Sequence, residues 1–91
     1  MDVDYDPAKR ALTLEMRGLD MARAGEVFFG PHLTFEDDRR DYGEPRCITL
    51  GYLDGRLVFM AWTPRGEVCR VISMRKTNER ERKRYEPLLE R

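Results

Sequence analysis

The segment Asp37-Asp38-Arg39-Arg40-Asp41-Tyr42-Gly43-Glu44-Pro45-Arg46 crowds carboxylates, guanidiniums and a phenol just before a run of alternating apolar residues. A second basic cluster, Arg65-Gly66-Glu67-Val68-Cys69-Arg70, follows one hairpin later. Mixed charge at this density is poor material for a core, but it suits a phosphate-bearing ligand. A guanidinium is planar and permanently charged, so it can clamp two phosphate oxygens and hold the extra charge of a pentacovalent phosphorus. Where the substrate is RNA, the 2′-hydroxyl is already present as a nucleophile. The protein then needs a base, charge stabilisation and an acid for the leaving oxygen, and no metal. Glu44 is the candidate base, with Arg46 and Arg70 as charge stabilisers; these three form the expected catalytic core. Arg39, Arg40, Tyr42, Arg65 and Arg75 are the candidate RNA contacts, and His32 or Tyr42 the candidate acid.

Plainer readings stand beside each of these. Glu44 and Arg46, two apart on an extended chain, also suit a simple ion pair at a sheet margin. The alternating charges between Arg75 and Glu86 suit a solvated helix face, His32 after Pro31 suits a loop, and Trp62 suits core packing. Arg70 resists such treatment, because an arginine inside an otherwise apolar strand needs a partner or a purpose. The competing functional class is a non-catalytic interaction module whose arginine-rich site binds an acidic partner protein. Equal growth arrest by wild type and Glu44→Gln would favour it.

Ninety-one residues form one domain, 1–91, with a modest core. Charged residues make up 37% of the chain, against about 25% in an average globular protein. The formal net charge is zero, so the molecule as a whole does not attract nucleic acid. The charge is nevertheless uneven. Residues 1–38 hold four Lys/Arg against nine Asp/Glu, a net of −5, and residues 39–91 hold thirteen against eight, a net of +5. An anionic ligand on the second half fits that asymmetry. No apolar run approaches membrane-spanning length, and the acidic N-terminus is not that of a signal peptide. Two cysteines without ligand spacing and a single histidine point to free thiols in a cytoplasmic protein, with no metal or cofactor.

The elements that must position the charged groups are legible from punctuation and period. Asp6-Pro7 opens a helix, Ala8, Ala11, Leu12 and Met16 form its apolar stripe, and Gly18 closes it. Asp20 caps a second short helix through Phe28, which Gly30-Pro31 ends. The period then becomes two. Residues 33–35, 46–53, 56–63 and 68–74 read as strands, the middle pair joined at Asp54-Gly55. Residues 77–89 form a last helix, with Glu81 at capping-box distance from Asn78. The fold class is α+β: two N-terminal helices, a four-stranded antiparallel sheet and a C-terminal helix. A turn at Asp54-Gly55 places Leu50 opposite Phe59 and Cys47 opposite Trp62. A turn at Arg65-Gly66 places Trp62 opposite Cys69 and Ala61 opposite Arg70. Glu44, Arg46 and Arg70 then share one face at one end of the sheet, while Arg75 lies on the other face.

These residues resemble the BrnT family, toxins of bacterial type II toxin–antitoxin pairs. The similarity spans nearly the whole chain. It includes Asp6-Pro7-Ala8-Lys9, Gly18, Glu26-Val27-Phe28 and Gly51, and above all the D-x-R-x-x-Y-G-E-x-R-like run ending at Arg46 and the R-x-I-S-x-R-like run from Arg70 to Arg75. The resemblance implies a RelE-like fold and a ribonuclease that slows translation by cutting RNA. It also implies a BrnA-type antitoxin that neutralises the toxin and brings the DNA-binding domain repressing their operon, so that contact with DNA is only indirect. The chain departs from the family at Thr13-Leu14-Glu15-Met16-Arg17-Gly18, where many members carry Asn-x-x-Lys-His-Gly. An acidic antitoxin segment is expected across the basic half of the sheet, over the Arg46–Arg70 site. The last helix is expected to dock through only Tyr85, Leu88 and Leu89, with Arg80, Lys83 and Arg84 outward.

Overall fold

The hairpin at Asp54-Gly55 organises the sheet. Both residues have positive φ, 52° and 76°, as a two-residue type I′ turn requires. They join β3 (Cys47–Leu53) to β4 (Arg56–Arg65), with Leu53 opposite Arg56, Leu50 opposite Phe59 and Cys47 opposite Trp62, as expected. The computed structural model describes residues 2–90. Around the hairpin it adds β1 (Asp2–Asp4), α1 (Pro7–Arg17), a 3-10 helix (Met21–Phe28), β2 (His32–Glu36), β5 (Val68–Lys76) and α2 (Glu79–Leu89). No helix among the described residues is long and apolar enough to cross a membrane.

The sheet differs from expectation in having five strands, ordered β1-β5-β4-β3-β2, with β1 parallel to β5 and the remaining pairs antiparallel. β1 is only Asp2-Val3-Asp4, too short and too acidic to announce itself by pattern. It is held by pairing along Val68, Cys69 and Arg70. The second helix also differs, since residues Met21–Phe28 are 3-10 rather than α. Its buried residues are Met21, Ala24 and Val27. A spacing of three is the 3-10 period, and Gly25 and Val27 weaken the α alternative.

The capping signals correspond to real ends. Asp6 accepts from the Ala8 N–H, Asp20 from the Ala22 N–H, and Gly18 closes α1 at φ 68°. Asn78 and Glu81 form the full capping box of α2. The stripe on α1 behaves otherwise. No residue of α1 is buried; Leu12 is 59% exposed and Met16 72%. α1 lies beside the β5 edge, where Lys9 donates to the Ile72 carbonyl (3.3 Å) and Arg17 to the Met74 carbonyl (2.8 Å).

Both faces of the sheet carry apolar clusters. Met21, Ala24 and Val27 of the 3-10 helix pack with Val58, Met60, Val71 and Met74 on one face. Leu89 of α2 packs with Leu50 and Leu57 on the other, with Tyr85 beside them and Leu88 still exposed. Polar ties complete the docking of α2: Arg75 grips Glu81 through two hydrogen bonds (2.8 and 2.9 Å), and the Tyr52 hydroxyl donates to Glu90 (2.8 Å). The Arg75 guanidinium holds the Glu81 carboxyl down at about 2.

The β4–β5 register departs from expectation in two ways that matter for the site. Arg65 pairs with Val68, so the turn is Gly66-Glu67, with Gly66 taking the positive φ of 62°. Further along, Ala61 faces Ser73 while Trp62 faces Val71, which leaves Ile72 as an extra residue in β5. Such a bulge reverses the inside–outside alternation beyond it. The turn at Gly66-Glu67 thus pairs Thr63 with Arg70, and the bulge beyond it pairs Phe59 with Arg75. Arg75 shares the face of Arg70 and stacks on Phe59, 4.3 Å from the ring centroid, rather than facing away.

Gly51 shows how tightly the 3-10 helix is seated. A Cβ there would lie 2.7 Å from Val27 Cγ1 and 2.9 Å from the Val27 carbonyl oxygen. Gly51→Ala should therefore destabilise the fold by about 1–3 kcal/mol, read as a lowered urea midpoint with an unchanged slope. An unchanged midpoint would show that the helix is free to shift.

Candidate active site

The 37–46 loop leaves β2 and returns into β3, closed at its neck by the Asp37 N–H donating to the Arg46 carbonyl (2.7 Å). The Thr63 hydroxyl donates to the Pro45 carbonyl and ties the returning strand to β4. Within the loop, Asp41 accepts from the Gly43 N–H, and Gly43 takes φ 74°. These constraints place the motif at the β3 start, beside the end of β4 and the start of β5.

Asp37 is the anchor. Its side chain is 3% exposed, and a carboxylate so far from water must be matched by donors. Arg39 supplies a two-pronged contact, Nε at 2.8 Å and Nη2 at 2.9 Å, and its own N–H at 3.3 Å. The Tyr42 hydroxyl donates to the second oxygen at 3.1 Å. The Arg39 guanidinium holds the Asp37 carboxyl well below the usual carboxylate range. With its hydroxyl fixed, the Tyr42 ring lies against Arg46, whose Cζ is 3.8 Å from the ring centroid. Arg40 also approaches that ring, at 5.5 Å. The Arg46 Nε is buried and has no partner.

Glu44, Arg46, Arg65 and Arg70 line one shallow cavity of about 150 Å³, together with Asp6, Lys9, Thr63 and Ile72. The two basic clusters therefore meet. Their charges are not equally free. Arg70 is paired with Asp4 of β1 at 2.8 Å, which also lowers the Asp4 carboxyl, and Arg65 sits 3.5 Å from Glu44. Arg46 makes no ion pair with any described residue. Arg40 and Tyr42 line an adjoining open surface that also includes Glu44 and Arg46.

Other sequence-derived candidates lie elsewhere. Arg39 is committed to Asp37. Arg75 is committed to Glu81 and Phe59, about 15 Å along β5 from Arg70. His32 pairs with Gly51, near the opposite end of β3 from Arg46, and its ring meets Phe28 edge-on at 5.5 Å. The Tyr42 hydroxyl points at Asp37. Burial pushes the Cys69 thiol up to about 11 and the Cys47 thiol upward, so neither is a ready nucleophile near neutral pH. No group of three or more His, Cys, Asp or Glu gathers as metal ligands among the described residues. Asp37 as anchor, Asp4 as the partner of Arg70 and Lys9 as a cavity wall are not apparent from the sequence. Only Asp37 left a signal, by standing two residues before Arg39 and five before Tyr42.

The Asp37 arrangement has a pH signature. A carboxyl lowered on folding contributes stability that is complete above its unfolded value, ordinarily 3.8, and that disappears as pH falls through the folded value. Asp37→Asn should lower the melting temperature at pH 7. The gap to wild type should be constant above about pH 5 and should narrow steadily toward pH 2. A gap independent of pH would mean that the carboxylate charge is not what holds the loop.

A family model for the ribonuclease toxin BrnT of type II toxin–antitoxin systems matches residues 5–81. That span contains the capped first helix, the whole sheet after β1, every residue of the cavity and the start of α2. No curated protein matches the chain. The match covers most of the sequence and the site together, and the chain belongs to the BrnT family of ribonuclease toxins, with RNA as target and an antitoxin as partner.

Proposed function

We propose that this protein is a metal-independent endoribonuclease that acts in the cytoplasm and slows translation by cutting RNA. In this reading its α+β arrangement is the RelE-like fold, and a BrnA-type antitoxin lies over the Arg46–Arg70 site. The observation that carries the reading is Arg46. It is a guanidinium stacked on a fixed tyrosine, without a carboxylate partner, in a cavity shared with two further arginines and a glutamate.

The reaction fits those groups. Glu44 takes the proton from the ribose 2′-hydroxyl as the 2′-oxygen bonds to phosphorus, and the bond from phosphorus to the 5′-oxygen breaks. Arg46 and Arg70 hold the non-bridging oxygens, where negative charge grows. The 5′-oxygen takes its proton from water at the open cavity mouth, since Tyr42 is engaged with Asp37 and His32 is distant. The products are a 2′,3′-cyclic phosphate and a free 5′-hydroxyl. Stacking on Tyr42 presents the flat guanidinium edge toward the phosphate without another side chain neutralising it.

The test is cleavage of a defined RNA by purified protein in EDTA. Wild type should cut, and replacing the 2′-hydroxyl at the cleaved nucleotide with hydrogen should abolish cutting there. Arg46→Ala should lower the rate by about 10²–10³-fold, the usual consequence of removing one charge-stabilising donor. Arg46→Lys should recover only part, because an ammonium cannot reproduce the planar fork. Full activity in Arg46→Ala would contradict the proposal, as would RNA left intact by wild type.

A further inference from the structure

α1 presents an unusual surface, with no buried residue and with Leu12 and Met16 both largely exposed. Between α1 and β5 runs a groove of about 510 Å³, floored by Met21 and Ile72, walled by Leu12 and Met16 and rimmed by Lys9 and Arg17. Lys9 and Ile72 also line the arginine cavity, so the groove adjoins the site. We infer that this groove is the anchoring site of the antitoxin, and that its occupant is an amphipathic helix whose apolar residues enter between α1 and β5 and whose acidic residues meet Lys9 and Arg17.

Four observations select this occupant. The Ile72 and Met74 carbonyls on the β5 edge are already taken by Lys9 and Arg17, so a strand cannot add to that edge there. The groove follows α1 from Lys9 to Arg17, about 12 Å or two helical turns, the length read by anchors at i, i+3, i+4 and i+7 of a docked helix. Its apolar walls are aliphatic and thioether with no aromatic ring, which suits protein side chains better than stacked bases. Both rim charges are positive and keep donors to spare after their bonds to β5. A second copy of the chain packed symmetrically on this face would oppose like charges, whereas an acidic helix complements them. An occupant seated here abuts Lys9 and Ile72 and therefore lies at the mouth of the Arg46 cavity.

The inference rests on the reading of this chain as a toxin with a protein antitoxin, and its test separates the two. The probes are the cognate antitoxin polypeptide and 20-residue peptides tiling it, titrated onto wild type, Leu12→Gln/Met16→Gln and Arg80→Glu/Arg84→Glu, with RNA cleavage measured in parallel. Glutamine keeps helix propensity while removing apolar surface from two exposed positions. The groove variant should bind antitoxin about 30-fold or more weakly, cut RNA at the wild-type rate and melt near wild type. The α2 variant should retain most of its affinity. The tightest peptide should be acidic, with apolar residues at helical spacing. Antitoxin affinity within about threefold of wild type in the groove variant would overturn the inference while leaving the toxin reading intact. Loss of RNA cleavage with antitoxin binding preserved would assign the groove to RNA and overturn it too. Failure of the antitoxin to bind wild type would remove both.

Discussion

The buried carboxylate of Asp37 is the constraint from which the rest of the site follows. A charge removed from water at the neck of a loop must collect donors, and here it collects both prongs of Arg39 and the hydroxyl of Tyr42. Tyr42 is thereby fixed as a flat platform, and Arg46 lies on it. The charges of the loop divide into those tied to partners within the structure and those, Arg46 among them, that are not. Arg39 belongs to the first kind, although from sequence it is a candidate RNA contact. The partner separates it from Arg46: Arg39 is held by the buried Asp37 carboxylate although its own side chain is 75% exposed, whereas Arg46 has no carboxylate to hold it.

The same division runs along β5. Arg70 and Arg75 lie in one short motif and, because of the bulge at Ile72, on one sheet face. Arg70 faces the cavity with Asp4 behind it, whereas Arg75 spans from Phe59 to Glu81 and clamps α2. That face is thus shared between two tasks, with helix α2 covering the Leu50 and Leu57 end and the Arg46, Thr63 and Arg70 end left as a cavity. The bulge makes the arrangement possible, since strict alternation would send one of the two arginines to the opposite face.

Most of the fold was legible because its determinants are local. Asp54-Gly55 fixes a turn and therefore a register, and Asp6, Asp20 and Asn78 mark helix starts by hydrogen bonds within three residues. What failed to show was set by tertiary contact. β1 exists because β5 offers an open edge, not because Asp2-Val3-Asp4 favours a strand. The extra residue at Ile72 has no glycine or proline to announce it, and the register after Trp62 shifts accordingly. The apolar stripe of α1 has the spacing of a core face, yet it remains exposed beside the site. The candidate residues Glu44, Arg46, Arg65 and Arg70 were recoverable because charge in or beside a strand is conspicuous. Their unequal freedom was not, because it depends on Asp4, a partner of Arg70 supplied by the distant β1 strand.

If Asp37 acts on catalysis through Tyr42 and Arg46, its removal should matter only while Arg46 is present. A double-mutant cycle of Asp37→Asn and Arg46→Ala on the rate of RNA cleavage reads this directly. Asp37→Asn should slow the wild type by about 10- to 100-fold, the scale of a misplaced catalytic group. The same change should leave the Arg46→Ala rate nearly unchanged, so that the two effects are far from additive. Fully additive losses would contradict it, since they would mean that the buried carboxylate and the stacked guanidinium serve the reaction separately.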